Sequence, residues 1–429
     1  MIDTVIFPEP VQKAIRDRFL YIDSDPFSGT RVYLENAGGG LTLKSVMDAH
    51  LPVAALPDNA GRNNSSSREV ERAIRDGRRD VALFLNARQG TILSDQSTSS
   101  CAFRILEAPA SGIEGSNIVC SQLDHASFYD AAAFMAEKYN LERRIVPLNP
   151  KTGALDATAV AEQVDEGTIA VTVIHASNIT GGKNDMKSIV HQIKSRAPHA
   201  IIVADGAQHS QHSLVDVEDT GVDAYIFSAY KVFSNAGFAF AYLSPRLAKL
   251  PHTQLQGKPI TDWDLGTRDA SGFVSFSSVV DYLCWLGGQI NPESSKEDRR
   301  AQLSDGMRAI ENHEAALSQR ILYGGGTLPG LLNYKEISLH GPPHPWEGRE
   351  AVFAFSIVGM PTNEIIKAFV ARKIIVHDRV SDAYSAHTLE ALGVKEVVRV
   401  SLAHYNTIKD VDLFLKTLAE ILEINKILK

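Results

Sequence analysis

Cysteine is scarce in this chain of 429 residues: Cys101, Cys120 and Cys284 are the three it has. Their spacing makes no pairing pattern, which excludes a disulfide scaffold and suits a reducing cytoplasm. Long apolar runs are missing too. None approaches the roughly 18 residues of a membrane helix, so a spanning protein is not expected. The opening segment, MIDTVIFPEPVQKAIRDRF, carries acids and lacks a long apolar core, so it does not read as a secretory signal. A cytoplasmic location is the expectation. There is no basic excess: 43 Lys and Arg stand against 51 Asp and Glu, a net charge of −8. That leaves no electrostatic footprint for nucleic acid. The glycines near Gly324 do not form G-x-G-x-x-G after a strand, so a nicotinamide dinucleotide site is excluded. HSQH (His209 to His212) offers two histidines, too few for a metal site. Internal repeats and low-complexity tracts are absent.

What is present belongs to a globular protein, with 44% hydrophobic and 22% charged residues. The length suits two or three domains. From Thr91 to Pro245, short apolar segments alternate with helical ones: TILS, NIVCS, RRIVPL, IAVTVIHA, AIIVADG, AYIFSAY and FAFAYL. That alternation predicts a mostly parallel sheet covered by helices on both faces. Helices are expected over 11–19, 67–86, 100–106, 278–288, 297–323, 362–372 and 406–428, the last capped by Asn406 or Thr407. The glycines at 324–326 should stop the fifth of these. A smaller α+β unit follows them.

The stretch 203–231 carries the most chemistry. An apolar run ends in Asp205, and a second run, 26 residues on, ends at Lys231. Both fall at the carboxyl edge of expected strands, where open α/β sheets bind ligands. A lone lysine after a strand is ordinarily a surface residue. A lysine one βα unit beyond an aspartate is what pyridoxal phosphate requires: an amine to form a Schiff base with its aldehyde, and a carboxylate to keep its pyridine nitrogen protonated. His125 follows the strand NIVCSQL at the same edge. A neutral imidazole there suits acid–base work, the alternative being a histidine satisfied in the core. Gln96, Ser97 and Thr98 form a polar turn before a helix, which serves a phosphate or simply caps the helix. Arg399 lies in an apolar strand, a costly place unless paired, and arginine grips carboxylates with two prongs.

Seven motifs occur in order: YLENAGGG (33–40), LDHAS (123–127), HASNITG (175–181), DGAQ (205–208), FSAYK (227–231), LGTRD (265–269) and VRVSLAHYNT (398–407). On these the chain resembles a fold-type I pyridoxal-phosphate enzyme of the class V aminotransferase superfamily, in the cysteine desulfurase-like branch. The resemblance implies a large domain with a mostly parallel seven-stranded sheet between helices (31–280) and a smaller C-terminal α+β domain (281–429). The N-terminal segment (1–30) is expected to pack with the small domain. The resemblance also implies that Lys231 attaches the cofactor, that Asp205 holds the pyridinium and that Gln208 donates to the ring hydroxyl. His125 is expected to stack on the ring, and His212 matches a further family position. Ser97, Thr98, Ser228 and Tyr230 would meet the phosphate. Tyr230 stands where the family often has histidine, and Gln96 where it has glycine. Gly266 and Thr267 would reach the neighbour's phosphate in a homodimer with composite sites. Arg399, beside Asn178, would take the carboxylate of an amino-acid substrate, with Arg379 a second basic candidate.

The pattern departs at one point. Cysteine desulfurases carry a nucleophilic cysteine on a small-domain loop, and the equivalent place falls near Tyr384, in RVSDAYSAH. Persulfide chemistry is therefore not expected. A lyase of the cysteine-lyase or C–S-lyase type is the expected function. The alternatives are a class V aminotransferase, or decarboxylation or epimerisation on the same cofactor. A non-catalytic protein of this fold would be expected to have lost Lys231 or Asp205, and both are present.

Overall fold

The computed structural model describes residues 6–293, 298–344 and 348–427. Seven strands form the large sheet: β1 (Thr91–Asp95), β2 (Asn117–Ser121), β3 (Glu142–Val146), β4 (Thr168–Ile174), β5 (Ile201–Asp205), β6 (Ala224–Ser228) and β7 (Ala239–Leu243). Their order across the sheet is β1-β7-β6-β5-β4-β2-β3. β7 runs antiparallel to β1 and β6, and the other neighbours are parallel. β2 and β4 to β7 are buried at every position, as expected of strands with helices on both faces. Two apolar clusters flank the sheet, one holding Val171, Phe227 and Phe240, the other Ile118, Val203 and Ile226. Successive strand residues thus feed opposite sides.

Long helices pack around this sheet: α1 (Ser65–Leu85), α2 (Thr98–Gly112), α3 (Ala126–Tyr139), α4 (Ala270–Ile290) and α5 (Arg299–Tyr323). Two differ from expectation. α2 runs on through Pro109 to Gly112, and α4 starts well before residue 278. The stretch ASGFVSFS looks loop-like because of its serines. Asp269 caps it, accepting from the Ser271 amide at 2.8 Å, and the Ser275 and Ser278 hydroxyls fold back onto carbonyls one turn earlier. The expected helix start at residue 297 lies outside the described residues. α5 ends at Gly324, whose φ of +73° a residue with a side chain rarely adopts.

A second, antiparallel sheet is formed by β8 (Ile337–His340), β9 (Val352–Ile357), β10 (His377–Val380) and β11 (Glu396–Ser401), in the order β8-β9-β11-β10. α6 (Ile408–Ile427) packs with it through Phe414, Leu415 and Leu418. Thr407 caps α6 reciprocally with Asp410, and the expected end at 428 lies outside the described residues. The N-terminal part of the chain joins here: Val32 and Tyr33 pair in parallel with Ile374 and Ile375, and Leu34 is buried in the same cluster. Residues Gly38, Gly39 and Gly40 then pass under the turn that holds Tyr230 and Lys231. The Gly40 amide donates to the Tyr230 carbonyl.

Candidate active site

The carboxyl ends of β5 and β6 set the floor of a small cavity. Thr98, His125, Ile174, Asn178, Asp205, Ala207, Gln208, Ser228, Tyr230 and Lys231 line it. The chain therefore brings together eight of the residues expected at the site; Ile174 and Ala207 are additions, and Arg399 bonds the Asn178 carbonyl from outside the lining.

Asp205 ends β5 and is buried, accepting one hydrogen bond from the Ala207 amide at 3.0 Å. Burial pushes its carboxyl up to about 6. A buried carboxylate with little hydrogen bonding is costly by itself and is offset by a cation placed against it. Lys231 sits in the single 3-10 turn, Ala229–Lys231, that follows β6. Burial lowers its amine to about 8, and the Arg399 guanidinium lowers it further, while Asp205 and Glu35 oppose. About a tenth of the amine is then neutral near pH 7, against well under a thousandth for an ordinary lysine, and the neutral amine is the form that attacks a carbonyl.

His125 caps α3. Its Nδ1 accepts from the Ser127 amide at 3.2 Å, which leaves the proton of the neutral ring on Nε2. Burial first, then the charges of Lys231, Arg379 and Arg399, bring it down to about 4, so it is neutral through the physiological range. Asp124 fixes the loop beneath it. That buried carboxylate accepts from Thr172 Oγ1 at 2.6 Å and from the Ile174 amide at 3.1 Å, tying the end of β2 to β4.

Gln208 and His212 form a chain with a residue the sequence did not single out. Gln208 Nε2 lies 2.8 Å from His212 Nε2, and His212 Nδ1 lies 2.7 Å from Glu314 Oε2 on α5. Gln208 Oε1 is buried without a partner, at the wall of the cavity. His209 is committed elsewhere, to Glu350 at 2.6 Å. Among the described residues no group of three or more His, Cys, Asp or Glu is placed to hold a metal ion.

At the other end of the cavity α2 begins. Ser97 caps it, accepting from the Ser100 amide at 3.1 Å, and Thr98 Oγ1 lies 3.3 Å from Ser228 Oγ. Two hydroxyls at the N-terminus of a long helix make a phosphate-binding end. Tyr230 lies beside them, its ring against Gly39. Gly266 and Thr267 are elsewhere: within one chain both line a surface cleft with Arg78 and Trp263, and Thr267 also lines one with His50, Gln96 and Asp269.

Arg399 is buried in β11 and has two partners, the Asn178 expected beside it and a glutamate the sequence did not single out. Its Nη2 donates to Glu35 Oε1 at 2.6 Å and its Nη1 to the Asn178 carbonyl at 2.8 Å. Glu35 had only its place in YLENAGGG to mark it, and its partner lies 364 residues away. Arg379, in β10, bonds the Ser385 hydroxyl through Nε at 2.8 Å, and burial lowers its guanidinium. Tyr384, on the following loop, is exposed and turns its ring toward His125 at 6.4 Å between centroids. None of the three thiols lines the cavity: Cys101, Cys120 and Cys284 are all buried, and burial raises all three, Cys120 to about 12.

The residues fit pyridoxal phosphate. An under-compensated carboxyl meets a pyridinium, an orphaned amide oxygen and its chain meet a ring substituent, a helix N-terminus meets a phosphate, and a buried lysine of lowered basicity meets an aldehyde. Such a site on a seven-stranded α/β sheet defines a fold-type I pyridoxal-phosphate enzyme. Comparison with known proteins narrows the class. The family model described as Aminotransferase class-V matches residues 32–286 and 301–414, so the chain belongs to that family, whose members depend on pyridoxal phosphate, in its cysteine desulfurase-like branch. A cysteine desulfurase of Pectobacterium atrosepticum is 24% identical over 94% of this chain and 96% of its own length. One of Yersinia pestis is 26% identical over 70% and 69%. Among solved structures, the apo cysteine desulfurase of Thermococcus onnurineus superposes with a TM-score of 0.78 at 20% identity, covering 99% of this chain and all of that one. A cysteine desulfurase of Escherichia coli gives 0.76 at 19%, covering 98% of this chain and all of its own.

Proposed function

We propose that this protein is a pyridoxal-phosphate lyase of an amino acid, of the cysteine-lyase or C–S-lyase type, that works without a cysteine persulfide. The observation that carries the reading is Tyr384 facing His125 on the loop where a cysteine desulfurase has its thiol, with all three cysteines buried elsewhere. Bound at the site, pyridoxal phosphate supplies an electron sink for negative charge at the substrate's Cα. Lys231 would attach the cofactor, and its lowered basicity suits it to take and return a proton. Asp205 would hold the ring nitrogen, Gln208 would meet the ring hydroxyl, and Ser97, Thr98, Ser228 and Tyr230 would hold the phosphate. His125, with its proton on Nε2, would lie against the ring. Arg399 and Arg379, with Asn178 between cavity and arginine, hold the substrate carboxylate.

The site lies between a large unit, 31–280, and a smaller one, 281–429, with the segment 1–30 packing on the latter. The working form is a cytoplasmic homodimer, in which Gly266 and Thr267 complete the partner's phosphate site. An aminotransferase is the second reading, since the same residues support it. Incubating the purified holoenzyme with a panel of amino acids decides the matter. Ammonia and a keto acid released without any keto-acid acceptor support the lyase. Turnover that stops after one equivalent and resumes on adding an acceptor supports the aminotransferase.

A further inference from the structure

Glu35 stands out among the groups around the cavity because it is a fixed anion placed on the arginine meant for an anionic substrate. Its carboxylate is built in. Oε1 receives Arg399 Nη2 at 2.6 Å, and Oε2 receives the Gly38 amide at 3.3 Å. A Cβ on Gly38 would come within 2.6 Å of Oε1, so glycine at 38 is what leaves room for the carboxylate. Arg399 has a second fixed partner, the Asn178 carbonyl on Nη1, and its buried Nε has none. Each Nη keeps one further N–H, so three of the five guanidinium donors remain for a ligand. Arg379, the other cation near Lys231, forms no ion pair among the described residues and bonds a neutral hydroxyl. Glu35 faces Arg399 directly, while Asp382, Glu35 and Asp378 all act on the charge of Arg379.

We infer that Glu35 is a specificity-determining residue that limits the substrate to one carboxylate: an amino acid with an uncharged side chain is accepted and a dicarboxylic one is rejected. The inference rests on the reading of Arg399 and Arg379 as the carboxylate subsite. A single carboxylate satisfies the remaining donors of Arg399 and the charge of Arg379 together. A second anionic group finds both cations engaged and meets Glu35, and like charges at close quarters in a partly desolvated site repel strongly. Glu35→Gln keeps the shape and an acceptor for Nη2 while removing the charge, and so frees one cation.

The test measures binding of propionate and succinate to the holoenzyme by calorimetry. Wild type is expected to bind propionate at least as tightly as succinate. Glu35→Gln is expected to gain tenfold or more for succinate and less than threefold for propionate. A succinate-to-propionate ratio in Glu35→Gln within twofold of wild type overturns the inference. So does a wild type that already prefers succinate tenfold, a readout that needs no variant to fold. Arg399→Lys separates this from the underlying reading. If it leaves both affinities unchanged, the carboxylate subsite is misplaced and the inference falls with it; if it weakens both while Glu35→Gln leaves the ratio alone, only the role of Glu35 falls.

Discussion

Tyr384 and His125 face each other across the mouth of the cavity, their rings 6.4 Å apart and tilted by 36°. On the resemblance read from the sequence, the pair puts a phenol where a desulfurase would carry its thiol. A thiol nucleophile must be exposed and partly ionised. Cys101, Cys120 and Cys284 are buried and have their thiols pushed up. Replacing all three by Ala or Ser is expected to leave turnover within about tenfold of wild type, a barrier change of roughly 1.4 kcal/mol or less. Arg399→Ala is expected to cost far more, since it strips the substrate of its partner and leaves Glu35 unpaired. Steady-state rates of the two variants make the comparison. Loss of turnover in a folded triple-cysteine variant would restore a persulfide route.

Lys231 is expected to carry the cofactor. Borohydride treatment of the wild-type holoenzyme should fix a pyridoxyl group on the peptide containing Lys231, read by mass. In Lys231→Ala that adduct should vanish, with pyridoxal phosphate still held non-covalently by the phosphate end of the site. An adduct on another lysine in the variant would move the attachment site.

Asp205 is a group whose function works against the stability of the empty protein. Its folded-state carboxyl is raised, from 3.8 to about 6. Above pH 6 the aspartate is ionised in both folded and unfolded chains, and the folded state bears the full penalty. Between pH 6 and about 4 the folded chain takes up the proton first, and below that the penalty is gone. Asp205→Asn is therefore expected to stabilise the apoprotein at pH 7, by on the order of 2 kcal/mol. The gain should fade as pH falls to about 4, while cofactor affinity drops. Urea midpoints of the two apoproteins at pH 7 and pH 4.5 check it, and a variant less stable than wild type at pH 7 contradicts it.

His125 is held neutral, with its pKa lowered to about 4 by burial and by the cations around it. No limb of the pH–rate profile between pH 5.5 and 7.5 should belong to it. A limb near pH 6.5 that disappears in His125→Gln would show that the ring titrates normally.

Composite active sites predict complementation between two inactive subunits. Mixing Lys231→Ala chains with an inactive Thr267 variant should restore part of the activity, because one hybrid site keeps both residues. Thr267 lies outside the Lys231 cavity within one chain. A monomer in sedimentation at micromolar concentration would rule the arrangement out.

Much of this was legible in the sequence because strand ends are local. Apolar runs bounded by Asp205 and Lys231 reveal both the sheet and the edge where its ligand binds. The seven segments read as strands of the large sheet are the seven strands of that sheet. What the sequence hid is long-range or orientational. Glu35 reaches Arg399, Glu314 reaches His212, and Asp124 reaches Thr172 only after the chain has folded, so no local spacing marks these pairs. The early start of α4 was hidden differently, by serines whose hydroxyls are satisfied within the helix they resemble breakers of.

The pairing of Val32 and Tyr33 with Ile374 and Ile375 fixes the order in which the enzyme is finished. On a ribosome adding roughly 5–20 residues per second, the first of these strands waits on the order of 20 to 70 seconds for its partner to be made. Asp205, Lys231 and the helix that receives the phosphate have all emerged by then. Glu35 emerges early and Arg399 late, so their ion pair closes only after nearly the whole chain has been made. The residues proposed to choose what the enzyme acts on are brought together only as synthesis closes.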